Sequence, residues 1–302
     1  MRFDDKSVVI TGGVGGIGHA LVDLFASEGA KVLFSDRSEE DCNDLSEAMK
    51  RKGLDTHYMA GDLRRKTYCE ALIAEAVLTF GGIDILVNNA GIIPRGNILE
   101  TTDDMWFSAL DVNLNAVFFL CRAAIPYMQE AGGGAIVNTS STWGIYPGPD
   151  HVAYCTSKAA LAALTKSLGR DHAPDGIRVN AVCPNEVNTP MLRSGYTTRG
   201  IDPENAIEEL GKTVPLGRIA EPGEIADVIS WWRNADRYQP NCPRQAGSRR
   251  IWRSRIVSPP SPRPRSRNSA ASISWLTTPD SCSNNRSTIC NSMTGTECSR
   301  SI

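Results

Sequence analysis

The chain has 302 residues, 41% of them hydrophobic, with 32 Lys and Arg against 34 Asp and Glu for a net charge of −2. That is the composition of an ordinary globular protein, and its near-neutrality removes any overall electrostatic argument for nucleic acid or an anionic membrane surface as partner. The balance hides an asymmetry: residues 1–238 carry 22 basic and 32 acidic side chains, whereas 239–302 carry 10 Arg, no Lys and 2 acids.

The opening MRFDDKSVVITGG passes from charged residues straight into a strand-like run, which is not the form of a signal peptide. No apolar stretch approaches the roughly 20 residues of a membrane-spanning helix. Nine Cys occur without a C-x-x-C pair, and the four His form no H-x-x-x-H pair. A reduced, cytoplasmic, metal-free protein is expected.

Short apolar runs then alternate with longer amphipathic ones. Strands are expected at 7–11, 31–36, 56–62, 83–89, 134–140 and 177–183, and helices at 17–28, 39–52, 65–80, 103–130 and 152–172. The strand runs are dense in Val and Ile and do not alternate with polar residues, as fits strands buried on both faces of a parallel sheet. Alternating strand and helix implies right-handed βαβ units and one doubly wound α/β sheet of Rossmann type. Ligands of such sheets bind beyond the carboxyl ends of the strands, at the switch point. Between Asn185 and Gly217 the alternation stops, and a loop with a helix-like piece at 203–211 reads as a substrate-binding insertion. A helix at 221–232 follows, and residues 1–238 form the catalytic domain.

The last 64 residues hold 14 Ser, 10 Arg, 7 Pro and one Leu. They lack the apolar surface for a core, so 239–302 is expected to be a tail without packed structure or a stretch read out of frame.

Five patterns carry chemistry at the strand ends. TGGVGGIG (11–18) follows a strand and opens a helix: Gly12, Gly16 and Gly18 allow a tight turn and close approach of a pyrophosphate, with Ile17 inside the same turn. Asp36 ends the second strand, where a carboxylate can accept both adenosine ribose hydroxyls and repel a 2′-phosphate, so NAD is the expected cofactor, although Arg37 stands beside it. Asp62, next to Leu63, can accept from an adenine amino group or cap the following helix. Asn88, Asn89 and Gly91 leave room after the fourth strand, and the paired Asn can bridge neighbouring strands. Finally, Tyr154 and Lys158 at i and i+4 share a helix face, 13 residues after Ser141 at a strand end. A Lys ammonium beside the phenol is expected to lower its proton affinity and make Tyr154 an acid/base group near neutral pH.

With Asn113 in LDVN, the motifs TGGVGGIG, NNAG (88–91), IVNTSS (136–141) and YCTSK (154–158) resemble the short-chain dehydrogenase/reductase family over about residues 6–232. The resemblance implies a tetrad of Asn113, Ser141, Tyr154 and Lys158. Tyr154 would be the acid/base and Ser141 the substrate-orienting hydroxyl; Lys158 would also hold the nicotinamide ribose, and Asn113 a water-mediated proton path. It also implies that Thr189 contacts the nicotinamide carboxamide. Two departures stand out. Asn185 replaces the Gly of the family's P-G pair, and the family's closing strand is expected to be missing because the Ser/Arg/Pro stretch takes its place.

The expected function is an NAD-dependent oxidoreductase for a secondary alcohol or ketone. Arg95, Trp143, Glu186 and Met191 are candidate pocket residues: Arg95 suggests an anionic substrate and Glu186 a hydroxylated one, hence a polyol, sugar or sugar acid. The alternatives are a 3-oxoacyl-thioester reductase, or a cofactor-binding protein whose catalysis is impaired by the altered C-terminus. A small-molecule substrate and a homo-oligomer, if the C-terminus permits one, are expected, with no nucleic acid, membrane or metal.

Overall fold

Val8 and Ile10 of β1 (Ser7–Thr11) join one apolar cluster and Val9 joins another, and all three are fully buried. The same period-two split recurs in β2 (Lys31–Asp36), where Val32 and Phe34 go one way and Leu33 the other, and in β5 (Gly134–Thr139). These strands therefore lie in a sheet covered on both faces, which accounts for their continuous apolar character. The structure is a computed structural model describing residues 1–231 and 273–276.

β3 (Thr56–Ala60), β4 (Ile85–Asn88) and β6 (Ile177–Pro184) complete six parallel strands in the order β3-β2-β1-β4-β5-β6. One face is covered by α1 (Gly16–Ser27), α2 (Glu39–Arg51) and a late helix at Pro222–Trp231, through Leu21, Phe25, Leu45, Met49 and Ile229. The other is covered by α3 (Lys66–Phe80) and two helices at Ala116–Glu130 and Val152–His172, through Leu72, Ile73, Leu120, Ala124 and Leu161. β1 pairs with both β2 and β4, so the strand order reverses there and opens the crevice expected of a doubly wound sheet. The doubly wound reading stands, and each strand matches its expected range to within two residues.

Three features depart from the sequence expectations. First, the helix expected at 103–130 is two: α4 (Asp103–Leu110) and α5 (Ala116–Glu130), joined by a π turn at Asp111–Asn115. Taken together, Asp103–Glu130 is long and apolar enough, by length and composition, to cross a membrane. The expectation of no such stretch is thus corrected; Asp103, Asp104, Asp111 and Arg122 had masked it in the sequence. Val117, Leu120, Ala124 and Met128 of this run are buried against the sheet. Second, the loop after β6 contains α7 (Pro190–Thr197) ahead of α8 (Pro203–Thr213), with α6 at Val152–His172 and α9 at Pro222–Trp231. Only α8 is expected from the sequence. The missed signal is Thr189-Pro190: the Thr189 hydroxyl accepts the Leu192 N–H, and Pro190 occupies the first turn.

Third, the sheet edge beyond β6 is not left open. β7 (Ile273–Leu276) pairs antiparallel with it, Ala181 opposite Leu276 and Pro184 opposite Ile273. The expectation of a missing last strand is corrected to this extent: no parallel strand follows α9 among the described residues, but a short segment of the tail runs along the edge the other way. ISWL is rich in β-branched and aromatic residues, and an unpaired edge is a template for such a segment. The remainder of the 239–302 tail lies outside the described residues.

Candidate active site

The Gly-rich turn is built so that backbone, not side chains, meets whatever binds there. Gly12 adopts φ +70°, and a Cβ on it would lie 2.8 Å from Ala90 Cα. A Cβ on Gly18 would lie 1.8 Å from the Gly12 carbonyl oxygen, so α1 packs directly on the turn. Gly12 and Gly13 donate their N–H groups to the Ser35 carbonyl, which fixes the turn to the end of β2. The first turn of α1 has no side-chain cap and no acidic residue. Its N–H groups are therefore left for an anion, and the helix dipole favours one. Ile17 packs partly buried behind the turn, and the Thr189 methyl lies over Gly16. These features fit a dinucleotide pyrophosphate.

Asp36 ends β2 beside this turn, half-buried, accepting the Val14 N–H (3.2 Å) and the Arg37 N–H (2.7 Å). Asp62 is engaged elsewhere. Arg64 forms a two-pronged ion pair with it, Nη2 to Oδ2 at 2.6 Å and Nε to Oδ1 at 3.0 Å, holding the carboxyl below its usual range. Asp62 also accepts the Arg64 backbone N–H, so it closes a turn ahead of α3 and does not cap it; the helix cap is Arg65. The capping expectation is thereby corrected: three residues separate Asp62 from the helix start. Leu63 is buried in the core.

The two Asn after β4 do separate jobs. Asn88 is buried and donates to Asn138 on β5 at 2.8 Å, and Asn138 donates to Thr165 of α6 at 2.8 Å. The expected bridge between strands exists and continues into the next helix. Asn89 donates to the carbonyls of Thr11 and Gly12, tying the Gly-rich turn to β4.

Asn113 sits in the π turn, a distortion frequent at functional sites. Its amide accepts the Ile92 N–H (2.8 Å), donates to the Ile92 carbonyl (2.9 Å), and donates to Ser157 on α6 (3.0 Å). A buried amide with three hydrogen bonds, two to Ile92 and one to Ser157, locks the loop after β4 against the helix that carries Tyr154. Gly91 precedes this clasp, and a Cβ there would press to 3.2 Å on both Asn113 Oδ1 and Lys158 Nζ.

Ser141, Tyr154 and Lys158 do converge. Ser141 is buried, its hydroxyl accepts the Trp143 N–H at 3.1 Å, and it stands near enough to the Tyr154 phenol to lower its proton affinity. Lys158 is buried; its ammonium donates to the Thr139 carbonyl at 2.7 Å and lies 5.8 Å from the Tyr154 ring centre. Burial pulls the ammonium down to about 8, with Cys183 of β6 opposing the shift. Burial pushes the Tyr154 phenol up, and the Ser141 hydroxyl pulls it back. The net lowering expected from Lys158 is therefore not found: the phenol shifts upward. Desolvation outweighs it, and the group that lowers the phenol is Ser141.

The pocket residues flank this trio. Trp143 stands edge-on to Tyr154 with ring centres 6.4 Å apart, and edge-on to His151 at 4.5 Å. Glu186 lies close enough to disfavour the Tyr154 phenolate; burial raises its own proton affinity, and its carboxylate has no hydrogen-bond partner among the described residues. Asn185 bonds to the Thr142 hydroxyl at 3.0 Å. Arg95 is half-buried and packs on Gly195 of α7, and Met191 is exposed on the first turn of α7. Thr189 lies at the Gly-rich turn, with its hydroxyl committed to capping α7. Sequence reasoning missed His151, which caps α6 and pairs with Gly96 three residues before Tyr154, as well as Arg199 and Thr139. Only the adjacency of His151 to Tyr154 could have flagged it.

The family model for short chain dehydrogenase matches residues 6–200. An uncharacterised oxidoreductase of Thermotoga maritima is 39% identical, the match covering 76% of this chain and 90% of that protein. A probable galactose dehydrogenase of Rhizobium meliloti is 41% identical over 64% of this chain and 76% of its own length. Among solved structures, a variant of actinorhodin polyketide ketoreductase with NADPH superimposes with a TM-score of 0.72 at 32% identity, covering 76% of this chain and 90% of the other.

Proposed function

The chain belongs to the short-chain dehydrogenase/reductase family of oxidoreductases acting on alcohol and ketone groups, and from that premise we propose that it interconverts a secondary alcohol and its ketone with NAD, acting on a polyol, sugar or sugar acid. The observation that carries this reading is the convergence of Ser141, Tyr154 and the buried Lys158 at the strand ends, with an uncapped Gly-rich turn across the crevice.

Bound nicotinamide would supply the hydride acceptor or donor. Gly12 to Gly18, Asp36, Leu63, Asn89, Gly91 and Thr189 line its place, and Asp62 takes part only if its Arg64 ion pair opens. Lys158 spends one of its three N–H donors on Thr139 and keeps two for ribose hydroxyls. The Ser141 hydroxyl accepts from Trp143 N–H, so its single proton is free to be given to the substrate oxygen or to the Tyr154 phenolate, one at a time. Tyr154 takes the proton in oxidation and returns it in reduction, with Ser141 easing the phenolate. Asn113 holds the loop and α6 in register.

Asp36 supports NAD: its carboxylate faces the turn where the adenosine ribose would lie and would repel a 2′-phosphate. The probable galactose dehydrogenase among the relatives, with Glu186 and Arg95 at the rim, supports a hydroxylated substrate. The polyketide ketoreductase neighbour favours a second reading, a 3-oxoacyl-thioester reductase, which would prefer NADPH and so stands against Asp36. We place the enzyme in the cytoplasm, a compartment suited to its free thiols Cys42, Cys69, Cys121, Cys155 and Cys183, and read it as a homo-oligomer.

The test is a panel of secondary alcohols and ketones with both cofactors. Turnover with NAD that falls by about 10²–10⁴ in Tyr154→Phe, with NADH still bound, is the expected result. NADH binding without turnover of any substrate would instead leave a cofactor-binding protein. Asp36→Ala should lower kcat/KM for NAD more than for NADP, and a wild type that already prefers NADP would overturn the cofactor assignment.

A further inference from the structure

We propose that Arg95 and Arg199 form a two-pronged anion clamp at the mouth of the site, so that the substrate carries a carboxylate or phosphate ester remote from the reacting carbon. This deepens the alcohol dehydrogenase reading and rests on it.

The two guanidinium groups come from different segments and meet on one residue. A Cβ on Gly195 would lie 2.1 Å from Arg95 Nη2, so the guanidinium rests against the backbone of α7, where only glycine leaves room. Arg199, past the end of α7, donates from Nε to the Gly195 carbonyl at 2.9 Å, and its guanidinium sits 4.9 Å from the Tyr196 ring centre. Arg95 is half-buried, and neither Arg has an acidic partner among the described residues. Arg193 on the same helix shows the contrast, being paired with Glu204 and bonded to Asn188.

Arg95 is half-buried while Arg199 is exposed, so the unfavourable element is the partly desolvated Arg95 charge held beside a second positive charge with no counter-charge among the described residues. An anion between them would reverse that, and the planar fork of Arg matches carboxylate and phosphate oxygens. Each Arg weakens the proton hold of the other's neighbours: Arg199 lowers Arg95, and both lower His151, after burial as the main cause. Asp150 acts on His151 in the opposite sense. His151, with Nδ1 tied to the Pro149 carbonyl at 2.6 Å, stands 4.5 Å from Trp143, and Trp143 stands 6.4 Å from Tyr154. Clamp, imidazole, indole and phenol thus follow one another from the rim to the reacting centre.

The direct test is calorimetric titration of the whole protein with malonate, inorganic phosphate and neutral malonamide. Saturable binding of malonate or phosphate, weakened at least about tenfold in Arg95→Gln and in Arg199→Gln, with no binding of malonamide, supports the clamp; the preferred anion identifies which group the substrate bears. Gly195→Ala, which displaces Arg95 without removing a charge, should weaken the same binding. No anion binding by the wild type, or equal binding by the Arg95→Gln/Arg199→Gln double variant, overturns it. Kinetics on 3-hydroxybutyrate and neutral 2-butanol separate this from the parent reading. Loss confined to the hydroxy acid in the Arg variants supports the clamp. Turnover of both substrates, unaffected by the variants, overturns the clamp alone. Anion binding without turnover of any alcohol would overturn the parent reading.

Discussion

Gly18→Ala tests the turn at its tightest point. The new methyl would be placed 1.8 Å from the Gly12 oxygen, 2.7 Å from the Gly12 carbonyl carbon and 2.9 Å from Gly13 Cα, where ordinary contact begins at about 3.4 Å. All three atoms are backbone, so no flexible side chain can swing aside; either the Gly12–Gly13 turn moves away from α1 or the helix lifts. Gly12 and Gly13 are held by hydrogen bonds to Ser35, and overpacking of this kind costs about 1–3 kcal/mol. At about 2–4 °C per kcal/mol for a domain of this size, the melting temperature should fall by several degrees. The turn that shifts is the one meant to cradle the pyrophosphate, so the Kd for NADH, read by nicotinamide fluorescence, should rise at least about tenfold, or about 1.4 kcal/mol. Gly15→Ala is the internal control for stability. Gly15 has φ −67°, and its Cβ would meet only the Gly12 oxygen at 3.4 Å, so its melting temperature should match wild type. A Gly18→Ala protein that melts and binds NADH like wild type would refute both the packing and the assigned role of the turn.

Ser141→Ala should shift the acid, rising limb of the pH–rate profile for alcohol oxidation to higher pH. The active form of Tyr154 in that direction is the phenolate, and the Ser141 hydrogen bond is what lowers the phenol; an unmoved limb would mean that Ser141 does not tune Tyr154. Lys158 titrates at about 8 in the folded chain against an ordinary 10.5. Between those values the unfolded chain holds a proton that the folded chain has released, so stability should rise with pH from about 8 to about 10.5 and be flat below. Urea midpoints across that range should show the rise in wild type and not in Lys158→Met, and parallel curves would show that Lys158 is hydrated in the fold.

What could be read from the sequence was what local pattern determines. The strands were legible because burial on both faces leaves runs of Val and Ile, and Tyr154, Lys158 and Ser141 because helix spacing and a strand end place them together. Electrostatics at the site was not legible. The spacing of Lys158 from Tyr154 says nothing about desolvation, which raises the phenol and commits the ammonium to Thr139. Of the two roles open to Asp62, the helix cap fails because its partner Arg64 lies two residues on, a distance at which only the turn geometry decides. The π turn escaped notice because its residues, DVNLN, carry an ordinary helical pattern. Arg199 could not be paired with Arg95 across more than a hundred residues without the fold.

The π turn at Asp111–Asn115 holds one residue more than an α-helical turn would accommodate in register. Each residue of an α-helix turns the chain by about 100°. Deleting one residue here would therefore let the turn close to an ordinary α-helical one, with α4 and α5 keeping their faces to the core while the residues between them turn by up to that angle. The Asn113 amide would then swing off Ile92 and Ser157. The aim of that amide is thus set by chain length and not only by residue type. In an alignment of relatives, a one-residue gap at this point should mark chains that have lost the Asn113 clasp even where an Asn remains nearby.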